Sequence, residues 1–455
     1  MAHLAAFWVD NAGLARCRVV PGSRVPQVGS SATSQQQAPA SPLHVTLTNA
    51  IQSMPFVYDV ALEPPVGNVT LAAEVSKAVP LSWMPGANAC FGDMLKDGEA
   101  WAHCPRSFLR RQAKALLDEF GIQVTVGFEL EFQLLHRNTD GDLTPVDSTL
   151  YCEARSLYNP TTWSLLQRIV SSLENDLGIP VHQFHAESAS GQFEISIGPF
   201  NTKTDSDPVG SLVEAVDKLV LARQCVYGLA AQVGWQATFV PKLREHEAGN
   251  AAHIHLGLLS AADGTNLFTN SSEQQPEAEQ FVAGILTQLP AMCLLLAPTC
   301  NSYERLQPQC WAGAFQCYGY ENKEAPIRLI SGNNRETGLS GVDHFEIKTG
   351  DATANPYVSL GALLAGGMQG LRGHLKLPPS LTEDPSTLPR PQQPARLPGS
   401  LEEAIKALGE NAEVWRRILS PTYFELLLTL RKAEWKHDAE QPSRTDRLHQ
   451  LVMRF

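Results

Sequence analysis

Four short segments carry acidic and imidazole side chains at the alternate positions of a strand. In QVTVGFELEFQLL, Glu129, Glu131 and Gln133 alternate with Val124, Val126, Phe128, Leu130, Phe132 and Leu134. In GQFEISIG, Gln192, Glu194 and Ser196 oppose Phe193, Ile195 and Ile197. In AAHIHLGL, His253, His255 and Gly257 oppose Ile254, Leu256 and Leu258, and in HFEIK, His344, Glu346 and Lys348 oppose Phe345 and Ile347. Successive side chains of a strand point to opposite faces, so each segment has one apolar face for a core and one face able to do chemistry. This pattern suits an antiparallel sheet with one packed and one wet face.

If these strands are neighbours, Glu129, Glu131, Glu194 and Glu346 converge, with Glu187 nearby. Clustered buried carboxylates repel, and each unpaired ion costs several kcal/mol. Divalent cations resolve that repulsion, and oxygen-rich ligation with a single imidazole suits Mg²⁺ or Mn²⁺ better than zinc. A zinc hydrolase reading of His253-x-His255 fails for want of a third imidazole. Any one of these motifs alone is commonly a solvated strand face; their joint occurrence is the informative signal.

The elements that must position these residues are legible in outline. Ala5–Val20 reads as two short strands about a turn at Asn11–Gly13, followed by a polar loop at 21–42 and a mostly β segment to Cys104. Leu109, Ala113, Leu116 and Phe120 give helical spacing over 106–120, with Gly121 as the stop. A domain boundary near Pro105 divides the chain into residues 1–105 and 106–455. Further helices are expected over 162–177, 209–233 and 277–296, a polar loop at 260–275, a proline-rich excursion at 377–398 and helices from Ser400 onward.

The chain of 455 residues is 43% hydrophobic with net charge −12, enough for a large core and unsuited to nucleic acid or an anionic membrane. Its nine cysteines contain no C-x-x-C pair, which disfavours a disulfide framework and fits a reducing compartment. The N-terminus is a poor signal peptide and the apolar run Met292–Pro298 is too short to span a bilayer, so a soluble, cytoplasmic protein is expected.

In order, GFELEF (127–132), HAESASGQFEISIGP (185–199), ATFVPK (237–242), HIHLGL (253–258), APTCNSYERLQP (297–308), ENKEAPIR (321–328) and FEIKTGDATANPY (345–357) resemble the glutamine synthetase family. FWVDNAGLARCRVVP resembles its small N-terminal domain, and FHAES, W-x-GAFQC and FEIK resemble the FluG/nodulin-type branch. The resemblance implies an α+β fold: an N-terminal β-grasp domain and a catalytic domain whose antiparallel strands form a bifunnel flanked by helices. It also implies homo-oligomeric stacked rings, decameric or dodecameric, with active sites at the interfaces. The implied chemistry is ATP- and Mg²⁺-dependent phosphorylation of a glutamate γ-carboxylate, followed by attack of an amine.

The resemblance assigns roles residue by residue. Glu131, Glu187 and Glu194 match ligands of the metal beside glutamate; Glu129, His253 and Glu346 match ligands of the metal that bridges the ATP phosphates. His255 matches a position near the nucleotide, and Gly249 one whose backbone meets glutamate. Arg305 and Lys348 would hold the substrate carboxylates, while Lys323 and Arg328 would face ATP and the transferring phosphoryl group.

Four departures bear on specificity. The flap glutamate that completes the family's ammonium site corresponds to Trp311, which cannot balance an ammonium charge but can stack on a larger amine. The ammonium-site aspartate has no clear counterpart, Asp59 being the nearest acid. Lys323 and Lys348 stand where arginines are common and lose the bidentate fork. Ala251 and Ala252 replace small glycines before His253 and narrow the acid pocket. The expectation is an acid–amine ligase making a γ-glutamyl amide from glutamate or a close analogue and an amine larger than ammonia. A glutamine synthetase proper, using ammonia, and a catalytically silent ring protein remain the alternatives.

Overall fold

The computed structural model describes residues 2–26, 42–54, 66–138, 142–201, 206–268, 276–331 and 341–455. The four chemistry-bearing segments are adjacent strands of one nine-stranded sheet. Its long strand Ile122–Arg137 pairs on one side with Gln192–Phe200 and on the other with Ile254–Ser260, which pairs in turn with Val342–Ile347. All three pairings are antiparallel, as the alternation predicts. Val181–Ala186 ends one edge and Tyr318–Tyr320 the other; the latter pairs in parallel with Ile327–Ser331. Among the described residues no pairing joins these two edges.

Every apolar-face residue from Val124 to Leu134 is buried. That face packs against the helices Pro105–Phe120 and Pro208–Gln232. Asn159 and Asp207 cap their helices by accepting backbone N–H groups, with proline at the first helical position. These caps move both starts slightly upstream of the sequence expectation, to Pro160 and Pro208. The helix expected to run to 177 instead ends as Pro160–Ser171 and continues as a wider π turn, Ser172–Asp176. Gly121 ends Pro105–Phe120 in the left-handed conformation (φ 63°) that glycine adopts without strain.

The apolar run at Met292 belongs to a longer helix, Glu277–Leu296, which is long and apolar enough to cross a membrane by length and composition but is largely buried inside the protein. It packs on Pro356–Arg372 through glycines. A Cβ on Gly284 would come within 2.4 Å of the Gly366 carbonyl oxygen, so the two backbones are nearly in contact.

Residues before Pro105 form two four-stranded sheets. Strand His3–Val9 sends Leu4, Ala6 and Trp8 into a local core and Ala5, Phe7 and Val9 into the main one. Arg106 fixes the junction: buried, it donates to both oxygens of Asp217 and to Asp93, and its Nη2 lies 2.9 Å from Glu74.

Candidate active site

Strand register brings the acidic residues together. Glu194 lies directly across from Glu131, and Ser196 from Glu129. His255 faces Gly127 on one side and Glu346 on the other, and Arg328 faces Glu346. His253 sits just before its strand, its carbonyl accepting the Glu129 N–H at 3.2 Å. Three sets of candidate ligand atoms result, each within 4.8 Å: Glu129 with His253 and Glu346; Glu129 with Glu131 and Glu194; and His185 with Glu187 and Glu194. All six residues named from the sequence as metal ligands therefore fall in one patch. His185 joins them from the edge strand.

The electrostatics of the patch are unbalanced. Burial, reinforced by Glu194 and Glu187, pushes the Glu131 carboxyl up to about 7 although His253 opposes it. Burial also acts on Glu129, but His253 Nδ1 at 2.6 Å and His255 Nε2 at 3.1 Å hold it well below the usual carboxylate range. A hydrogen bond with Glu194 raises His185 to about 9. The buried Nε2 of His253 has no hydrogen-bond partner. A patch of buried oxygens with one proton-hungry carboxyl and an orphaned imidazole nitrogen fits hard divalent cations.

Cationic side chains border the patch. Lys348 Nζ donates to Glu346 Oε1 at 3.2 Å, and Arg328 Nη1 to Glu346 Oε2 at 3.3 Å. Arg328 also pairs with Glu321. Arg305 is buried and directs its guanidinium at the carbonyl oxygens of Lys348, Thr349 and Gly350, leaving Nε without a partner. Gly249 lies beneath it; a Cβ there would meet the Pro241 carbonyl oxygen at 2.2 Å and the Arg305 side chain at 2.8 Å. The Gly249 carbonyl accepts from Gln192, and the Ala251 N–H donates to Glu131 at 2.8 Å. Lys323 places its ammonium 4.8 Å from the centroid of the Trp311 ring. Trp311 is 58% exposed in the single chain. Asp59 lies outside the described residues.

Sequence reasoning missed His185, and it placed His344 on the chemical face of its strand without giving it a role; the His344 Nε2 is 3.0 Å from His255 Nδ1. It missed Glu321 and Glu324 as well, which partner Arg328 and the Trp311 backbone. The pairing of His185 with Glu194 was foreseeable only from strand register, since Val181–Ala186 has no clean apolar face. A cavity of about 570 Å³ lined by Arg223, Trp235 and Phe455 lies elsewhere and holds none of these residues.

Residues 102–449 match the family model for the glutamine synthetase catalytic domain. The chain belongs to the glutamine synthetase family. Members of this family are carbon–nitrogen ligases. The gamma-glutamylpolyamine synthetase GlnA3 of Streptomyces coelicolor is 30% identical over 442 residues, covering 94% of this chain and 88% of that protein. The glutamate–methylamine ligase of Methyloversatilis universalis is 31% identical over 375 residues, 78% of each. FluG of Emericella nidulans is 32% identical over 353 residues, covering 75% of this chain but 37% of that longer protein. Among solved structures, a GmaS/ADP complex aligns with TM-score 0.80 over 99% of this chain and 97% of its own, at 22% identity. That last likeness speaks to fold, and it agrees with the α+β arrangement expected for this family.

Proposed function

We propose that this protein is an ATP- and Mg²⁺-dependent ligase that phosphorylates the γ-carboxylate of glutamate, or a close analogue, and couples it to an amine larger than ammonia. The observation that carries this reading is Glu131. It stands between two sets of candidate ligands, deeply buried, with its carboxyl pushed up by burial and by Glu194 and Glu187. Glu131, Glu187 and Glu194 are the ligands we assign to one cation, and Glu129, His253 and Glu346 those of a second. When bound, such cations neutralise charge on phosphate oxygens.

The chain's own groups do the rest. Arg328, anchored by Glu321 and Glu346, presents a fixed guanidinium to a transferring phosphoryl group, and Lys348 is assigned with Arg305 to the substrate carboxylates. Lys323 is assigned to the phosphates and His255 to the nucleotide side. Arg305, held by three carbonyls, keeps the backbone of 348–350 and Gly249 in place around the acid. Ala251, buried, trims that pocket.

Trp311 in the flap supports an amine with a body to stack. Relatives that act on polyamines and methylamine support the same choice, although a type-1 glutamine synthetase of Dictyostelium discoideum, 29% identical over 405 residues, keeps ammonia as the competing nucleophile. The reading includes a β-grasp domain over residues 1–105, a catalytic domain over 106–455, stacked homo-oligomeric rings with interface sites, and a cytoplasmic setting.

The test is phosphate release from ATP and Mg²⁺ with L-glutamate, across ammonia, methylamine, longer alkylamines, polyamines and anilines. Release that depends on one amine class and is lost in Glu131→Ala supports the ligase. Release with ammonia alone makes it a glutamine synthetase, and none from assembled rings makes it a silent ring protein.

A further inference from the structure

The flap carboxylate absent at position 311 has a structural substitute. Trp311 and Gln309 both adopt left-handed backbone conformations (φ 52° and 61°), which side-chain-bearing residues rarely take and which turn the indole outward. One face of the ring already carries an ammonium, that of Lys323. The next residue along, Glu324, is half-buried, and its Oε1 accepts the Trp311 N–H at 3.2 Å. Burial raises this carboxyl above its ordinary range.

This pair is fixed to the carboxylate patch by short links. Gly313 packs so closely on Pro326 that a Cβ would come within 2.4 Å of its Cα. The Pro326 carbonyl accepts the Lys348 N–H at 2.9 Å, and Lys348 Nζ in turn reaches Glu346. Ala314, Phe315, Cys317 and Ala325 form a small core that clamps the flap to the segment bearing Glu324. An aromatic plate and a carboxylate are therefore held side by side near Lys348 at the rim of the patch, on two chain segments packed against each other.

We infer that Trp311 and Glu324 together form the amine subsite, and that it takes a protonated primary amine with an apolar body. This rests on the ligase reading above. The ring covers the hydrocarbon and the Glu324 carboxylate pairs with the ammonium. Glu324 then takes one N–H proton and passes it to solvent, leaving a neutral amine. The amine nitrogen attacks the carbonyl carbon of the γ-glutamyl phosphate; the C–N bond forms, and the C–O bond breaks with its electron pair leaving on phosphate. The second N–H proton departs with the phosphate. Glu324 thus supplies from the ENKEAPIR segment the charge and basicity that position 311 lacks.

The experiment compares full-length wild type with Glu324→Gln, Glu324→Asp and Trp311→Ala. Phosphate release is followed with methylamine, n-butylamine, benzylamine and putrescine, and γ-glutamyl hydroxamate formation with hydroxylamine. Hydroxylamine is largely neutral at pH 7.5 and needs no proton acceptor to attack. Glu324→Gln should raise the KM for the best amine about tenfold or more while reducing hydroxamate formation far less, and Glu324→Asp should recover part of the loss. Trp311→Ala should erase preference for butyl- or benzylamine over methylamine. Equal losses with amine and hydroxylamine, or an unchanged amine KM in both Glu324 variants, would overturn the inference while leaving the ligase reading intact. A wild type inactive with every nucleophile, hydroxylamine included, would remove the ligase reading itself and the subsite with it.

Discussion

Replacing Glu131 with glutamine should stabilise the metal-free protein at pH 8 while destroying its response to Mg²⁺. The wild-type carboxyl rises from an ordinary 4.5 to about 7 in the folded protein. A group whose folded pKa is raised contributes stability that is fully present below 4.5 and is lost as pH climbs through about 7. That interval corresponds to about 3 kcal/mol against the folded state at pH 8. Glutamine removes the buried charge, but Glu194 and Glu187 still repel each other, so we expect a gain of about 1–3 kcal/mol. With per-residue unfolding entropies typical of globular proteins, a chain of this length gains roughly 1–3 °C in Tm. Calorimetry in EDTA at pH 8 and pH 5 checks the sign: the gain should be present at pH 8 and absent at pH 5. Added Mg²⁺ should raise the wild-type Tm at pH 8 and leave Glu131→Gln nearly unmoved. A lower Tm for the variant at pH 8 in EDTA, or an equal Mg²⁺ response, would refute the claim that Glu131 is strained by burial and relieved by a cation.

Arg106→Ala strands Asp217 and Asp93 at the junction and should destabilise by about 3–5 kcal/mol, read from denaturant midpoints; a loss below about 1 kcal/mol would mean the network is not buried as described. Gly284→Ala pushes a methyl into the Gly366 carbonyl and should lower stability by about 1–3 kcal/mol in the same assay, whereas Gly409→Ala, with open space around it, should be neutral or mildly stabilising. Arg328→Ala should cut kcat for ATP-dependent phosphate release by about 10²–10³, with Glu321→Ala falling less because Glu346 still holds the guanidinium; equal effects would argue that Glu321 meets substrate itself.

The period-two alternation around Glu129, Glu131, Glu194 and Glu346 made the central strands legible, because each has a fully apolar reverse face whose burial dictates which way the acids point. Which strands are neighbours did not follow from it, and the grouping of Glu129, Glu131, Glu187, Glu194, His253 and Glu346 as ligands came from the resemblance to the glutamine synthetase family. Lys323 departed from the simple picture: its role was inferred from motif position, yet its ammonium lies over Trp311. Glu324 was invisible because it sits in a turn, where no periodicity assigns a face, and because its contact to Trp311 depends on left-handed backbone at 309 and 311. His185 was missed since Val181–Ala186 is an edge strand, exposed enough to lack a hydrophobic stripe. What the sequence leaves unread is thus the set of contacts made by turns and edges.

The balance of charges also bears on whether this protein is an active ligase or a silent relative. Around Arg106 every charge has a partner: Asp217 takes three hydrogen bonds from the guanidinium and one from Tyr357, and Asp93 and Glu74 complete the cluster. That network holds two parts of the chain together and needs nothing added. Around Glu131 the opposite holds. Glu194 and Glu187 repel it, the His253 Nε2 goes unpartnered, and Arg305, whose charge acts on Glu131, donates its hydrogen bonds to backbone carbonyls instead. Apolar side chains of similar volume at Glu131 and Glu194 would give a more stable sheet, because buried charges without complete pairing destabilise it. A purely structural ring protein gains nothing from such a patch. An enzyme that gathers divalent cations and phosphates there gains its binding energy from it. The unbalanced charge therefore favours an active ligase over a silent relative, independently of any matched motif.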